Sequence, residues 1–418
     1  MVTEEQKKRY NELLMGQKAI HKVVGKSVKR CLLVSVVLGF VIGVSSVGVG
    51  IVKDQTSKTD FDFDAFVMKI YLALLIFSLA YFLHIILHET GHLVFGLLTG
   101  YQFLSFRIFS TIFYKKGGKI NRRKFSIKGT AGQCLMSPPV RRPDGSFPFV
   151  LYNLGGGISN LIFSLPLVVP ALLVENIYAK IVFSMLLLAG IVTAATNIIP
   201  MNIGIQNDGM NIKSMLKDKC MQDAFYLQLK VNAEMSNGKK ITDYSPEEFT
   251  LPEGANDTNM LTAAVRIYSY YQLLSVHDFE AAEQVLSAME EKALQYQMAI
   301  WNMIKAERLF FMVLRHRPIE EIASVYQHSR LVLTAAKTQI EIQRVRYIYE
   351  AFMTEEEKKD IMTLITKKAP RKWKECDQEK SYQKFLKVAM NFPVIGEADM
   401  NLDIVEYIRE YRESLTQA

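Results

Sequence analysis

Four long apolar stretches occupy the first half of this chain, and they constrain its fold more than any other feature. They cover residues 31–52, 66–98, 151–174 and 179–200. Each is long enough for a helix that crosses a hydrocarbon core of roughly 30 Å, and a helix satisfies its own backbone hydrogen bonds there. Beyond residue 200 the chain becomes charged and amphipathic. The sequence therefore predicts a polytopic helical bundle, followed from about Asn211 by a soluble domain.

The basic residues predict how these spans are oriented. They are concentrated before the first span and between the second and third, whereas the loop after the first span carries four aspartates. Loops rich in Lys and Arg stay in the cytoplasm. Both termini are therefore expected to be cytoplasmic, and topology explains the net charge of +8 without a nucleic-acid partner. We expect residues 31–52 to be a permanent anchor, and the layout favours a bacterial cell membrane.

The second apolar stretch contains a metal-binding motif, His88-Glu89-Thr90-Gly91-His92. On a helix the two histidines lie on one face and can bind one Zn²⁺ through neutral imidazole nitrogens. Zinc lowers the pKa of a water that it binds from about 15.7 to about 7, and a carboxylate such as Glu89 can take the proton as the water attacks a carbonyl. Ionisable residues inside a membrane are costly and are functional candidates. The motif predicts hydrolysis, most simply of a peptide bond.

A zinc site needs a third protein ligand, and Asp208 is the candidate in a suitable place. It follows Asn197-Ile198-Ile199-Pro200, which ends the fourth span on the side where the histidines are expected. An ordinary helix exit with an aspartate N-cap is the alternative. His84 lies one helical turn before His88. We interpret it as a hydrogen-bonded core histidine, with a role beside the metal as the alternative.

The third span begins with small residues and an amide, Gly155-Gly156-Gly157-Ile158-Ser159-Asn160. Small residues allow helices to approach closely. Asn160 would then lie inside the bundle, where its amide can bind a substrate backbone or stabilise an oxyanion. A hydrogen bond between helices is the alternative.

Taken in order, these motifs resemble the signatures of site-2 protease-type intramembrane zinc metalloproteases. In that family an HExxH helix, a GPxxN-like helix start and an NxxP segment followed by DG form a three-helix catalytic core. The resemblance covers about residues 66–215. It implies zinc as the cofactor and the following site residues: the zinc ligands His88, His92 and Asp208, the base Glu89, and the substrate-side amides Asn160 and Asn197.

The chain departs from the family pattern in two places. Gly157 stands where the middle motif usually has proline, and the interval between Pro200 and Asp208 is longer than the commonest form. The second departure bears directly on the choice of Asp208 as the third ligand. Asp144-Gly145 is a second DG pair, which we interpret as a turn.

A membrane-associated β-hairpin is predicted at 101–128, between the second and third spans. Apolar and polar residues alternate from Tyr101 to Tyr114, Gly117-Gly118 marks a turn, and 120–127 is the return strand. In the resembled family a sheet near this position lies against the membrane and can pair with an unfolded substrate by strand addition. A basic, lipid-facing hairpin is the alternative. Residues 133–139 are interpreted as a loop near the active site.

Residues 211–418 predict a cytoplasmic α-helical domain with few Gly and Pro residues. Two helix pairs, at 262–294 and 299–335, have the small and aromatic spacing of tetratricopeptide-like repeats, with an irregular helical domain as the alternative. A repeat domain of this kind presents a concave surface to a protein or peptide. We expect it to regulate or recruit.

The sequence thus predicts a mainly α protein with four consecutive parts: a basic N-terminal helix at 1–30, a first span and external loop at 31–65, a metalloprotease core at 66–210, and a helical domain at 211–418. The expected partners are a membrane-inserted protein or peptide substrate, the lipid bilayer, and a protein bound by the helical domain. A catalytically silent membrane adaptor is the alternative function.

Overall fold

The computed structural model describes residues 2–14, 62–127, 130–202, 205–366 and 378–417, with the side chains of 294 and 413–417 left out. The chain forms two compact units. The membrane unit comprises Ser27–Phe109 and Ala131–Lys219, and the helical unit comprises Met1–Lys26, Ser110–Thr130 and Cys220–Ala418. The membrane unit therefore extends past the boundary predicted near Asn211. Part of the predicted hairpin and the N-terminal segment belong to the helical unit.

In the membrane unit, helices occupy most of the described chain. They are α2 (Phe63–Leu98), α3 (Phe149–Ser164), a 3-10 turn (Leu165–Leu167), α4 (Val168–Leu173), α5 (Ile177–Ile198) and α6 (Asp208–Lys217). Three of the described helical segments, Phe63–Leu98, Phe149–Leu173 and Ile177–Ile198, are long and apolar enough to cross a membrane. The span predicted at 31–52 lies outside the described residues. The other three predicted spans match helices to within a few residues.

Local signals set the ends of these helices. The Asp62 side chain accepts from Ala65 N at the start of α2, and the Asn176 side chain caps α5 by accepting from Tyr178 N and Ala179 N. Side-chain oxygens at this position satisfy backbone donors that the helix leaves open. Pro166 falls in the 3-10 turn that separates α3 from α4. The chain turns at Glu175-Asn176, between the third and fourth predicted spans.

Helices α2, α3 and α5 pack against one another, and small and polar residues predominate among the buried positions of α2. The buried positions of α2 are Lys69, Ala73, Ala80, His84, His88, Gly91, His92 and Gly96, while most of its large apolar side chains point outward. A Cβ added to Gly91 would lie 2.2 Å from Gly155 O, so the backbones of α2 and α3 nearly touch there. Small residues at such crossings are typical of helices that pack within lipid.

The strands pair antiparallel within each unit. In the membrane unit β1 (Gln102–Ile108) pairs with β4 (Gly132–Ser137), and in the helical unit β2 (Thr111–Lys116) pairs with β3 (Lys119–Lys124). The Gly117-Gly118 turn is confirmed, with φ of 57° and 77°, which favour glycine. Two expectations were wrong. The first predicted strand is divided at Phe109, whose φ is 52°, and residues 132–137 form a strand where 133–139 was expected to be a loop.

The helical unit contains α1 (residues 4–14) and nine further α-helices after residue 218, among its described residues. These are α7 (Lys219–Ser236), α8 (Met260–Ser275), α9 (Phe279–Glu291), α10 (Met298–Leu314), α11 (Ile319–Ala335), α12 (Ile340–Phe352), α13 (Glu355–Thr366), α14 (Gln378–Met390) and α15 (Ile395–Gln417). The helical character of this part is confirmed. The tetratricopeptide-like repeat stays a prediction.

Two distant chain segments pack onto the C-terminal helices of the helical unit. From α1, Arg9 Nη2 donates to Glu321 Oε1 at 2.6 Å, and Tyr10 is only 3% exposed. From the segment after β3, the Phe125 ring lies 5.5 Å from that of Phe392, measured between centroids. Arg123 also donates to Met390 O at 3.2 Å. Segments that precede, interrupt and follow the apolar helices therefore belong to one compact body.

Candidate metal centre

The two histidines of the α2 motif face a single point. His88 Nε2 and His92 Nε2 lie 3.1 Å apart, as expected for residues one helical turn apart on the same face. Asp208 Oδ2 lies 3.2 Å from His88 Nε2 and 3.4 Å from His92 Nε2. The structure therefore brings together the three residues predicted as metal ligands, although Asp208 lies more than 100 residues away in sequence.

Asn207 and Gly209 explain how Asp208 reaches the histidines. The Asn207 side chain accepts from Met201 N and Met210 N and donates to Thr196 O and Ile199 O, which holds the chain after α5 against the end of that helix. A Cβ on Gly209 would lie 2.0 Å from Ile198 O, so α6 starts in contact with the α5 backbone. Asn207, not Asp208, is the N-cap. Hydrogen bonds of Asn207 with Met201 and Ile199 thus tie together the two ends of the long interval after Pro200.

The charge state of Asp208 suits a metal ligand. Burial acts to raise the pKa of this carboxyl, but His92 and His88 outweigh it and the pKa is lowered. Asp208 Oδ2 is buried and has no hydrogen-bond donor within the described part of the chain. A buried carboxylate oxygen without a donor is unusual, and a cation at this point would compensate it.

His92 is held in the orientation that metal binding needs. Its Nδ1 lies 2.8 Å from Tyr152 O, an acceptor, so Nδ1 carries the proton and Nε2 keeps its lone pair for a ligand. Tyr152 in turn donates from its hydroxyl to Cys134 O at 3.1 Å and stacks on Tyr101, with centroids 4.5 Å apart. The packing of α3 and β4 against α2 thus sets the ring of His92.

Glu89 lies against the first residue of β4. A Cβ added to Gly132 would be 2.5 Å from Glu89 Oε1, so any larger residue here would have to displace the Glu89 carboxylate. Arg107, 1% exposed, donates to Phe109 O at 2.9 Å and to Gly132 O at 3.0 Å, which fixes the β1 and β4 ends together. Burial lowers the pKa of the Arg107 guanidinium, and the Glu89 carboxylate opposes that shift. Sequence reasoning missed Gly132 and Arg107, since only their proximity in space marks them.

Asn160 lies among histidines inside the bundle. It is fully buried, with Oδ1 3.1 Å from His84 Nδ1 and Nδ2 3.3 Å from His88 Nδ1. This is the interhelical hydrogen bonding given as the alternative for Asn160, and His84 has the hydrogen-bonded core position expected of it. Gly156 makes room for the His88 ring, because a Cβ there would lie 2.4 Å from His88 Cε1.

Asn197 is not part of this cluster. Its Nδ2 donates to Thr193 O at 2.8 Å, one turn back in α5, and the side chain is half-buried. Substrate contacts for Asn160 and Asn197 remain predictions.

The donor set consists of two imidazole nitrogens and one carboxylate oxygen, all within 4.8 Å of one another. Three protein ligands of these types, with a fourth position open, are the arrangement of catalytic zinc sites. The donors therefore fit Zn²⁺, and Glu89 stands beside them as a second carboxylate. Comparison of the chain with models of known protein families, with curated proteins and with solved structures finds no match.

Proposed function

We propose that this protein is an intramembrane zinc metalloprotease, which hydrolyses peptide bonds of membrane-inserted proteins or peptides. One observation carries the proposal. His88 and His92 of the first described apolar helix and Asp208, which follows the last one, bring their donor atoms together beside Glu89. Helix α2 has 36 residues, and the motif lies in its second half. A hydrolytic site within such an apolar helix would act on a substrate that is itself inserted in the membrane.

The residues at the site have distinct chemical tasks. A bound zinc would supply a Lewis acid that makes water a nucleophile near neutral pH. Glu89 accepts the proton of the attacking water and returns it to the leaving amine as the peptide bond breaks, so its carboxylate is unchanged over the cycle. Gly132 and Arg107 hold the backbone against which Glu89 rests.

Strand β4 supports a way for the substrate to bind. Among the described strands β4 pairs only with β1, which leaves it at an edge, and its first residue is Gly132. An extended peptide added along this edge would make main-chain hydrogen bonds and pass Glu89. Such pairing requires an unfolded segment, because a substrate helix uses its own backbone groups internally.

The chain segments that make up the helical unit support a topology with both termini on one side of the membrane. Helix α1, the β2–β3 hairpin and helices α7 to α15 form one compact body, which cannot straddle a bilayer. This supports an even number of membrane crossings between α1 and β2, of which α2 would be one. We expect the apolar stretch at 31–52 to be the other. The basic residues of the hairpin support a cytoplasmic side for this body, by the positive-inside rule.

The test is metal analysis of the purified, full-length protein together with a Glu89→Gln variant in cells. We expect about one zinc per chain in both proteins, and a single-span membrane protein that accumulates uncut only in the variant. Glu175→Gln, in the turn before α5, is the matched control and should behave as wild type. A protein without zinc, and a membrane proteome that Glu89→Gln leaves unchanged, would instead identify a silent adaptor.

The third ligand has its own test. Asp208→Ala should lower zinc affinity strongly, because it removes one of three protein donors. Asp144→Ala, in the other DG pair, should leave zinc affinity unchanged. Equal affinity in Asp208→Ala and wild type would exclude Asp208 as a ligand even if the protein binds zinc.

A further inference from the structure

A line of polar atoms connects three helices behind the metal centre. It runs from Leu186 O on α5 to His84 Nε2 at 3.1 Å, and from His84 Nδ1 to the Asn160 amide at 3.1 Å. It continues from the other atom of that amide to His88 Nδ1 at 3.3 Å. Among these residues only His88 also faces Asp208. The line therefore ends at a predicted metal ligand.

Hydrogen-bond chemistry fixes where the protons lie along this line. Leu186 O can only accept, so His84 Nε2 carries a proton, and a neutral His84 then has an acceptor at Nδ1. The Asn160 group that faces His84 must donate, so it is the NH₂ group. The two ends of an amide have the same shape, and hydrogen bonding decides which end faces which partner. Exchanging the two ends of the Asn160 amide, so that Nδ2 faces His84 and Oδ1 faces His88, meets this requirement.

The opposite orientation of the amide is costly. With Oδ1 towards His84, that ring would have to donate from both nitrogens and would be a cation inside the apolar bundle. The NH₂ group would then donate to His88 Nδ1, and a neutral His88 would carry its proton on Nε2. A proton at that atom would occupy the position that the metal needs.

We propose that His84 and Asn160 are positioning residues, which set the tautomer of His88 so that Nδ1 is protonated and Nε2 is free to bind metal. The inference rests on the proposed metal site and changes the role expected of Asn160 from contact with substrate to support of a ligand. Partners of this kind typically contribute 10–100-fold to metal affinity in zinc proteins. His92 has the corresponding partner in Tyr152 O. Each histidine ligand is thus oriented by an acceptor on α3.

Zinc affinity of variants, measured by competition with a chelator on the full-length protein, tests this assignment. Asn160→Ala should bind zinc 10–100-fold more weakly. Asn160→Asp should stay close to wild type, because a carboxylate also accepts from His88 Nδ1. Ser164→Ala is the matched control: it removes a buried hydrogen bond to Asn160 O, one turn along the same helix, and should leave zinc affinity unchanged. Wild-type affinity in Asn160→Ala would overturn the proposal.

A second measurement does not depend on metal. In the zinc-free protein, the side-chain ¹⁵N shifts of His88 should report protonation at Nδ1, and Asn160→Ala should shift the population towards Nε2. A proton found mainly on Nε2 in the wild type would overturn the proposal. If the wild type binds no zinc, the proposed function fails, whereas this measurement still decides whether the His84–Asn160–His88 line exists.

Discussion

The membrane unit and the helical unit both bury charged groups between helices, but they treat them differently. In the helical unit, Arg344 and Glu307 are both fully buried and form a bidentate pair, with distances of 2.7 and 2.8 Å from Nη2 to the two carboxylate oxygens. In the membrane unit, Asp208 Oδ2 faces two imidazole nitrogens at 3.2 and 3.4 Å, and no other donor among the described residues reaches it. The Arg344–Glu307 pair stabilises a helical core, whereas the His88–His92–Asp208 cluster leaves a position for a ligand.

The burial of a charged side chain should therefore be interpreted together with the groups that balance its charge. Arg344 donates from Nε to Asn401 Oδ1 at 2.8 Å and lies 4.6 Å from the centre of the Phe310 ring, while Tyr270 donates to Glu307. The Arg344 Nη1 atom has no hydrogen-bond partner among the described residues, but the Glu307 carboxylate balances the charge of the guanidinium. A buried charge marks a functional site when its compensation is missing, and a structural element when its compensation is present.

The largest effect on stability should come from breaking the compensated pair. Arg344→Met leaves Glu307 as an unpaired buried carboxylate and should lower the free energy of unfolding by about 3–5 kcal/mol. Arg346→Met, two residues along in the half-exposed pair with Glu350, should cost less than about 1 kcal/mol. Denaturant unfolding followed by tryptophan fluorescence measures this, because both tryptophans, Trp301 and Trp373, lie in the sequence of the helical unit. Equal losses in the two variants would contradict the comparison.

An effect on activity without loss of metal should follow from Gly132→Ala. The added methyl group would lie within 2.5 Å of Glu89 Oε1 and would displace that carboxylate. We expect cleavage of the protein that accumulates in Glu89→Gln cells to fall by about 100-fold, a typical cost of misplacing a catalytic group. Zinc content should be unchanged. Ser137→Ala at the other end of β4 is the control. An equal loss of cleavage in this variant would mean that any disturbance of β4 lowers activity, and would contradict a specific effect on Glu89.

The uncompensated cluster should contribute little to stability when it holds no metal. Asp208→Ala removes the attraction to His88 and His92 that lowers the pKa of this carboxyl, but it also removes the cost of burying the charge, so we expect the zinc-free variant to unfold within about 1 kcal/mol of wild type. With zinc present, only the wild type should be further stabilised, because a ligand that binds the native state alone shifts the equilibrium. Circular dichroism of helix content gives both values. A large destabilisation of the zinc-free variant would make this cluster structural after all.

The smallest effect should be a pH dependence of the helical unit. Burial raises the pKa of Glu341 to about 7 and that of Glu397 to about 8, above the 4.5 usual for a glutamate, and the Glu307 carboxylate adds to the first shift as the Glu341 carboxylate does to the second. Because the folded-state pKa values are the higher ones, the stability that these groups provide is fully present below about pH 4.5 and is lost as the pH rises through those values. Glu397→Gln should reduce this loss, measured as the thermal midpoint between pH 5 and pH 8. Glu356→Gln, exposed on α13, should leave the curve unchanged.

Much of the membrane unit could be predicted from local patterns. The ends of three apolar helices and the turn at Asn176 follow from hydrophobic length and from capping preferences, which act over a few residues. The Gly117-Gly118 turn of the helical unit likewise follows from turn preferences. The shared face of His88 and His92 follows from helical spacing in the same way. Where the sequence was wrong, at Phe109 and at residues 132–137, alternation between apolar and polar residues did not reveal which strand would supply the partner.

Local sequence patterns predict the apolar helices, the histidine pair with its adjacent carboxylate, and the break after α5, because each depends on neighbours within one or two turns. The packed fold was needed to show that Asp208 lies beside the histidines, that Asn160 lies between His84 and His88, and that Gly132 lies against Glu89. It also decided that α1 and the hairpin join the C-terminal helices in one unit. These contacts join residues far apart in sequence. The packing that creates them depends on side-chain volume and on hydrogen bonds between helices.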